Sequence, residues 1–123
     1  PLVVRVKEKL EYSGTLSPSE LNTEYDIINL PAQRDAYLVE GYVDLSAMRD
    51  GDAVKFKEHV AADGVNQRSF GTYTYVDAQV DPIVRFYTKT IRKDGKYRLT
   101  LTQTNGTLRS FPYWFVVLVL EQL

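Results

Sequence analysis

Cysteine is absent from the 123-residue chain. That absence removes thiol nucleophiles, disulfide scaffolds, zinc ribbons and iron–sulfur clusters together. It leaves the compartment open, because a domain of this size folds without disulfides. Histidine, methionine and tryptophan occur once each. Excess charge is lacking as well. The 15 basic and 16 acidic residues leave a net charge of −1, which provides no bulk field toward nucleic acid or anionic lipid. Long apolar runs are also missing. The longest, Phe111 to Leu120, has about half the roughly twenty residues of a membrane helix and predicts a buried strand. The first residues, Pro1-Leu2-Val3-Val4-Arg5, carry no basic leader and no small-residue cleavage site, so neither a signal peptide nor a transmembrane segment is expected. Pro1 fits a start exposed by loss of the initiator Met and equally a processed start.

What is present is a globular composition. Hydrophobic residues make up 44% and charged residues 25%, which argues against disorder. A chain of 14.1 kDa buries about two-thirds of its surface on folding, enough for a core without metals or disulfides. One domain over residues 1–123 is expected, with residues 1–31 a candidate for a partly separate N-terminal strand or arm.

The dominant period is two. Val54, Phe56 and Val60 alternate with Lys55, Lys57 and His59. Leu2, Val4, Val6 and Leu10 alternate with Arg5, Lys7, Lys9 and Glu11, which predicts one apolar face for all four. Tyr97, Leu99 and Leu101 alternate with Arg98, Thr100 and Thr102. Val84 to Ile91 is rich in β-branched and aromatic residues, and Tyr37 to Leu45 and Phe70 to Val76 complete the predicted strands. Turn signals sit where a meander needs them: Asp94-Gly95 as a tight hairpin, Asn105-Gly106, Asp50-Gly51-Asp52, Asp63-Gly64 and Asp81-Pro82. Asp44 to Arg49 reads as one helical turn capped by Asp44 or Ser46, and Ser17-Pro18-Ser19-Glu20 as the start of a short helix. The fold class is all-β: a single antiparallel β-sandwich, jelly-roll-like, of about seven or eight strands.

Catalytic material is scarce. His59 lies on the wet face of its strand between Glu58 and Val60, and there is no Gly-x-Ser-x-Gly elbow or phosphate-cradling glycine loop. Asp50, Asp52 and Asp63 carry oxygens suited to calcium, but Asp-Gly is also ordinary turn chemistry. Nothing marks two of the sixteen acids as a buried pair for glycoside hydrolysis. No enzyme, cofactor or metal is expected.

Surfaces are more promising. Trp114 to Leu120 is apolar on both faces, so either it lies centrally with both faces covered or one face meets another chain. Phe111, Tyr113, Trp114, Phe115, Val117 and Val119 are the candidate partner-interface residues. Among nine tyrosines, Tyr42, Tyr73, Tyr75 and Tyr87 are candidates to emerge on one sheet face and stack on a sugar or a partner. Arg85, Lys89, Arg92, Lys93 and Lys96 form a local basic group, which also serves as an edge defence against aggregation.

Two stretches, Val43-Asp44-Leu45-Ser46-Ala47-Met48-Arg49-Asp50-Gly51-Asp52-Ala53-Val54 and Thr100 to Tyr113, give the chain a family likeness. It resembles small β-sandwich virion structural proteins of tailed phages and archaeal viruses, of the capsid decoration or head-accessory kind. The likeness spans Val39 to Tyr113, rests on turns and strand patterns, and transfers no site residue. Leu2 to Pro31 lies outside it. It implies a non-enzymatic virus structural protein, located in the virion after synthesis in the host cytoplasm, that self-associates or binds a capsid or head–tail assembly. The expected partners are further copies of the chain, a viral capsid protein, or both, without nucleic acid or membrane. The alternative reading is a carbohydrate-binding or adhesin module that uses the tyrosines.

Overall fold

Period-two alternation obliges each strand to place its apolar side chains on one sheet face, and a face of that kind is stable only when another layer covers it. The computed structural model describes residues 3–123 and meets that requirement with eight strands. They are β1 (Val4–Leu16), β2 (Glu24–Asn29), β3 (Tyr37–Asp44), β4 (Ala53–Val60), β5 (Arg68–Val76), β6 (Ile83–Ile91), β7 (Arg98–Asn105) and β8 (Phe111–Gln122). Two four-stranded antiparallel sheets form, in the orders β1-β8-β3-β6 and β2-β7-β4-β5.

Pairing is nested: β1 with β8, β2 with β7, β3 with β6, β4 with β5. This is a long hairpin rolled onto itself, the jelly-roll arrangement of a β-sandwich. Only β4 and β5 are both consecutive in the chain and hydrogen-bonded neighbours. The expected meander is therefore corrected. Asp94-Gly95 does turn the chain, with Asp94 and Lys96 at φ 60 and 48, but it passes from β6 in one sheet to β7 in the other. A turn signal is local, whereas sheet membership depends on which distant strand covers the apolar face.

Between the sheets lie Tyr37, Val39 and Val43 of β3, Phe86 of β6 and Phe111, Phe115, Val117 and Val119 of β8. They meet Val54 and Phe56 of β4 and Leu99 and Leu101 of β7, with Phe56 edge-on to Phe86 at 5.2 Å. Gly41 faces inward opposite Phe115, whose ring fills the space a side chain would take.

The two helical expectations are also corrected, since the described residues hold no helix. In the Asp44–Arg49 segment Asp44 Oδ1 accepts the Ser46 N–H, and the Met48 N–H donates to the Leu45 carbonyl, so a single turn closes before β4. Near Ser17 the chain crosses between sheets, and the Ser17 hydroxyl pairs with that of Ser110 at 2.8 Å and does not cap a helix. The phase expected for the first strand also changes. A bulge between Val6 and Glu8 turns Val4 and Val6 outward opposite Gln122 and Leu120, while Leu10 faces the core opposite Val117.

Two acids prove to be buried, although no motif marked them as a pair: Asp52 and Glu58, each 2% exposed. They stand six residues apart along β4 and its lead-in, roughly 20 Å at strand spacing. That is well beyond the about 5–9.5 Å of a glycosidase pair. Asp52 accepts the N–H groups of Arg49 (2.8 Å) and Thr107 (3.0 Å) and the Arg109 Nε–H (2.7 Å), tying the loop before β4 to the one before β8. Gly106, at φ +90, passes so close to this carboxylate that a Cβ would overlap it.

Burial alone would raise the Asp52 pKa. The hydrogen bonds from Arg49, Arg109 and Thr107, with the Arg109 charge, outweigh it and hold the carboxyl below its ordinary value. A depressed folded-state pKa stabilises above the unfolded value of about 3.9, and this contribution is lost as pH falls through the folded value. An Asp52→Asn variant is expected to melt lower than the parent near neutrality and to lose less Tm between about pH 4 and about pH 2. Parallel Tm–pH curves for the two proteins would remove Asp52 from the acid-sensitive set.

Candidate functional site

The two outer faces of the sandwich differ. On the β2-β7-β4-β5 sheet most outward positions are polar: Lys55, Lys57 and His59 on β4, flanked by Thr72 and Thr74 on β5 and by Thr102 and the buried Thr100 on β7, with Val76 exposed at the end of β5. Such a face is suited to water. On the β1-β8-β3-β6 sheet the outward positions of β8 are Pro112, Trp114, Val116, Leu118 and Leu120, paired with Leu38, Glu40 and Tyr42 of β3 and with Val6, Lys9, Glu11, Ser13 and Thr15 of β1, so an apolar stripe runs along β8 between mixed neighbours.

That second face is left open by the described chain. Val4 is 48% exposed, Val6 50%, Ile83 51%, Tyr42 40% and Trp114 37%. The Tyr42 and Trp114 rings stack with centroids 6.2 Å apart and planes 21° from parallel, at the side of a shallow hollow of about 220 Å³ also lined by Asp44, Ile83 and Pro112. Charged residues stand within and beside this face, most of them in pairs: Arg5–Glu121 at 2.5 Å, Lys9–Glu11 at 3.0 Å and Arg85–Glu40 at 3.3 Å, while Asp44 accepts the Ser46 N–H. The last strand is thus covered on one face by the opposite sheet, while on the other Pro112 and Trp114 are exposed, Leu118 and Leu120 half-buried and Val116 buried.

The candidate interface residues divide along the same alternation. Phe111, Phe115, Val117 and Val119 point inward and are buried in the core, and Tyr113 points the same way and is half-buried. Trp114 alone of the six faces outward. The residues that share its face, Pro112, Val116, Leu118 and Leu120, were signalled by their even spacing from Trp114. Val4, Val6 and Ile83 come from other strands, which no local pattern announced.

Of the candidate stacking tyrosines, Tyr42 joins the outer face. Tyr73, Tyr75 and Tyr87 gather elsewhere, around a cleft of about 220 Å³ where the edge strands β5 and β6 of the two sheets run side by side. Val84 and Phe86 line its apolar part, and Arg85 and Lys89 complete the β6 wall. A bulge in β6 opposite Glu40 carries Tyr87 outward, 69% exposed, with the Arg85 guanidinium 4.8 Å from its ring centroid.

Glu58 lies beneath this cleft. Its Oε1 accepts the Tyr73 hydroxyl (2.9 Å), and its Oε2 accepts the Tyr97 hydroxyl (2.5 Å) and the Lys89 ammonium (2.8 Å). Burial, then the Glu58 charge and hydrogen bond, push the Tyr97 hydroxyl far above its ordinary pKa. Tyr73 is raised by burial and by its hydrogen bond to Glu58. Both therefore stay neutral donors. Alternation did contain a signal for Glu58, because it shares the phase of Val54, Phe56 and Val60. His59 faces the other way, with its Nδ1 3.4 Å from the Arg98 carbonyl.

The basic residues around Asp94-Gly95 are dispersed. Lys89 turns to Glu58, Arg85 to Glu40, and Arg92 and Lys96 donate to the carbonyls of Ala62 and Val65.

Together the strand order and the outer faces define an eight-stranded jelly-roll sandwich, one of whose outer surfaces carries a partly exposed apolar stripe along β8. No family model matches the chain, and no curated protein matches it by sequence. A solved structure, that of the infectious bursal disease virus Gt strain, contains a chain similar in fold, with a TM-score of 0.50 and 12% identity. The similarity covers 97% of this chain and 33% of that one, so this chain spans about a third of its neighbour's length. At that identity the likeness is one of fold alone.

Proposed function

We propose that this chain is a non-enzymatic structural protein of a virus particle, which packs through the apolar outer face of its β1-β8-β3-β6 sheet against copies of itself or a capsid protein. The observation that carries the reading is the contrast between the two outer faces of one sandwich. A partly exposed apolar stripe on a sheet face marks a contact surface, and the charges paired within and beside it limit repulsion when two such faces meet. The fold shared with a chain from a virus structure supports the same reading.

The size of the face sets the expected strength. Four strands across and about seven residues along give roughly 450 Å² per partner. A stable free dimer needs about 800 Å². A single contact is therefore weak, and a symmetric shell strengthens it by repetition.

Light scattering over a wide concentration range, with co-sedimentation on assembled particles, tests this. The expected result is a monomer when dilute that associates when concentrated and binds particles. The double variant Trp114→Asp/Ile83→Asp, altered only at outward positions, is expected to weaken association by about 30-fold, or about 2 kcal/mol. A parent that stays monomeric at the highest concentration and ignores particles overturns the proposal.

A further inference from the structure

We propose that the cleft between β5 and β6 is a binding site for one uncharged pyranose ring, such as the terminal residue of a glycan. It shares Arg85 with the edge of the assembly face and is otherwise lined by different residues, and the reading does not depend on a virion role.

The argument runs from the lining to the ligand. The cleft, at about 220 Å³, is smaller than the roughly 300–1,000 Å³ of a drug-sized pocket, so it takes a single ring. Its lining carries flat aromatics from two strands, Tyr73 and Tyr75 of β5 and Phe86 and Tyr87 of β6. The Arg85 guanidinium lies over the Tyr87 ring, which is still largely exposed and so accessible to a ligand.

Both cations of the lining are already neutralised, Lys89 by Glu58 and Arg85 by Glu40, so the cleft has no spare charge to select an ion. They nevertheless retain undonated N–H groups, because an ammonium has three donors and a guanidinium five. The Tyr75 and Tyr87 hydroxyls add donors and acceptors. The fitting ligand is neutral, has an apolar face for the rings and carries hydroxyls around its edge, and it keeps one side in water because Tyr87 is open. A pyranose meets each of these demands.

The test is titration of the intact chain with uncharged methyl glycosides of several hexoses, followed by NMR of the tyrosine ring signals, with p-cresol and N-acetylneuraminic acid as competing probes. At least one neutral glycoside is expected to shift the Tyr73, Tyr75 and Tyr87 signals with a Kd on the order of 1 mM. Tyr87→Ala is expected to weaken it tenfold or more and Arg85→Ala severalfold, with Tm held close to the parent. Lys57→Ala, on the polar outer face, serves as the control and leaves the affinity unchanged. Silence of the three tyrosines toward every neutral glycoside overturns the proposal. A cleft that takes p-cresol alone also overturns it, in favour of a partner's aromatic side chain, and one that takes only the charged sugar overturns the requirement for neutrality.

Discussion

Replacing Glu58 with alanine is expected to destabilise the protein by about 3–5 kcal/mol, the range for breaking a buried ion pair from one side. At about 4 °C per kcal/mol for a chain of this length, Tm falls by roughly 12–20 °C. The cause is the loss of one acceptor site shared by three donors. Without it the Lys89 ammonium, 21% exposed, loses its counter-charge, and the buried Tyr97 hydroxyl loses its acceptor. Unpaired buried donors cost more than the same positions filled by apolar groups. Glu58→Leu combined with Lys89→Met and Tyr97→Phe is therefore expected to recover much of the loss. Thermal melts of the single and triple variants decide the matter, and a single variant within about 1 kcal/mol of the parent would refute it.

The same cluster sets an alkaline limit. The Tyr97 pKa is raised in the folded state, so its contribution is complete below the unfolded value of about 10 and is lost as pH climbs above it. Tyr97→Phe is expected to flatten the fall in Tm above about pH 10.

Gly41→Val is expected to be about as damaging, by an overpacking route. Gly41 sits mid-strand in β3, hydrogen-bonded between β8 and β6, and any Cβ there overlaps the Phe115 ring and the Trp114 carbonyl. Neither obstacle is a flexible side-chain end. One is a fully buried ring touching Phe86, with centroids 6.0 Å apart, and the other is the backbone of the central strand. Overpacking of this sort costs about 1–3 kcal/mol for modest insertions and more where backbone must move. Denaturant titration is expected to show a lower midpoint at unchanged slope. Gly41→Ala/Phe115→Leu is expected to regain part of the loss but not all, because the carbonyl clash persists. A Gly41→Val protein as stable as the parent would show that β3 and β8 separate freely here.

Much of this was legible along the chain. Val54 to Val60 and Tyr97 to Leu101 declare their inward faces by alternation, since a strand's side chains obey a period of two wherever it ends up. The class of fold followed from that. Glu58 was legible too, as an acid in the phase of Val54 and Phe56, although the role of a buried acid depends on donors brought by β5, β6 and β7.

Other features had no local signal. The pairing of β1 with β8 joins residues 95 to 118 positions apart, and the bulge that turns Val4 and Val6 outward makes sense only against Leu120. Likewise Tyr73 and Tyr87 come from different sheets to line one cleft, while Tyr42, equally rich in promise as a sequence position, stacks on Trp114 elsewhere. The chain's own pattern was sufficient to make β8 a strand apolar on both sides. Which side is covered was decided by the rolled-up pairing, because burial belongs to the layer that arrives from elsewhere, and one layer can cover only one face.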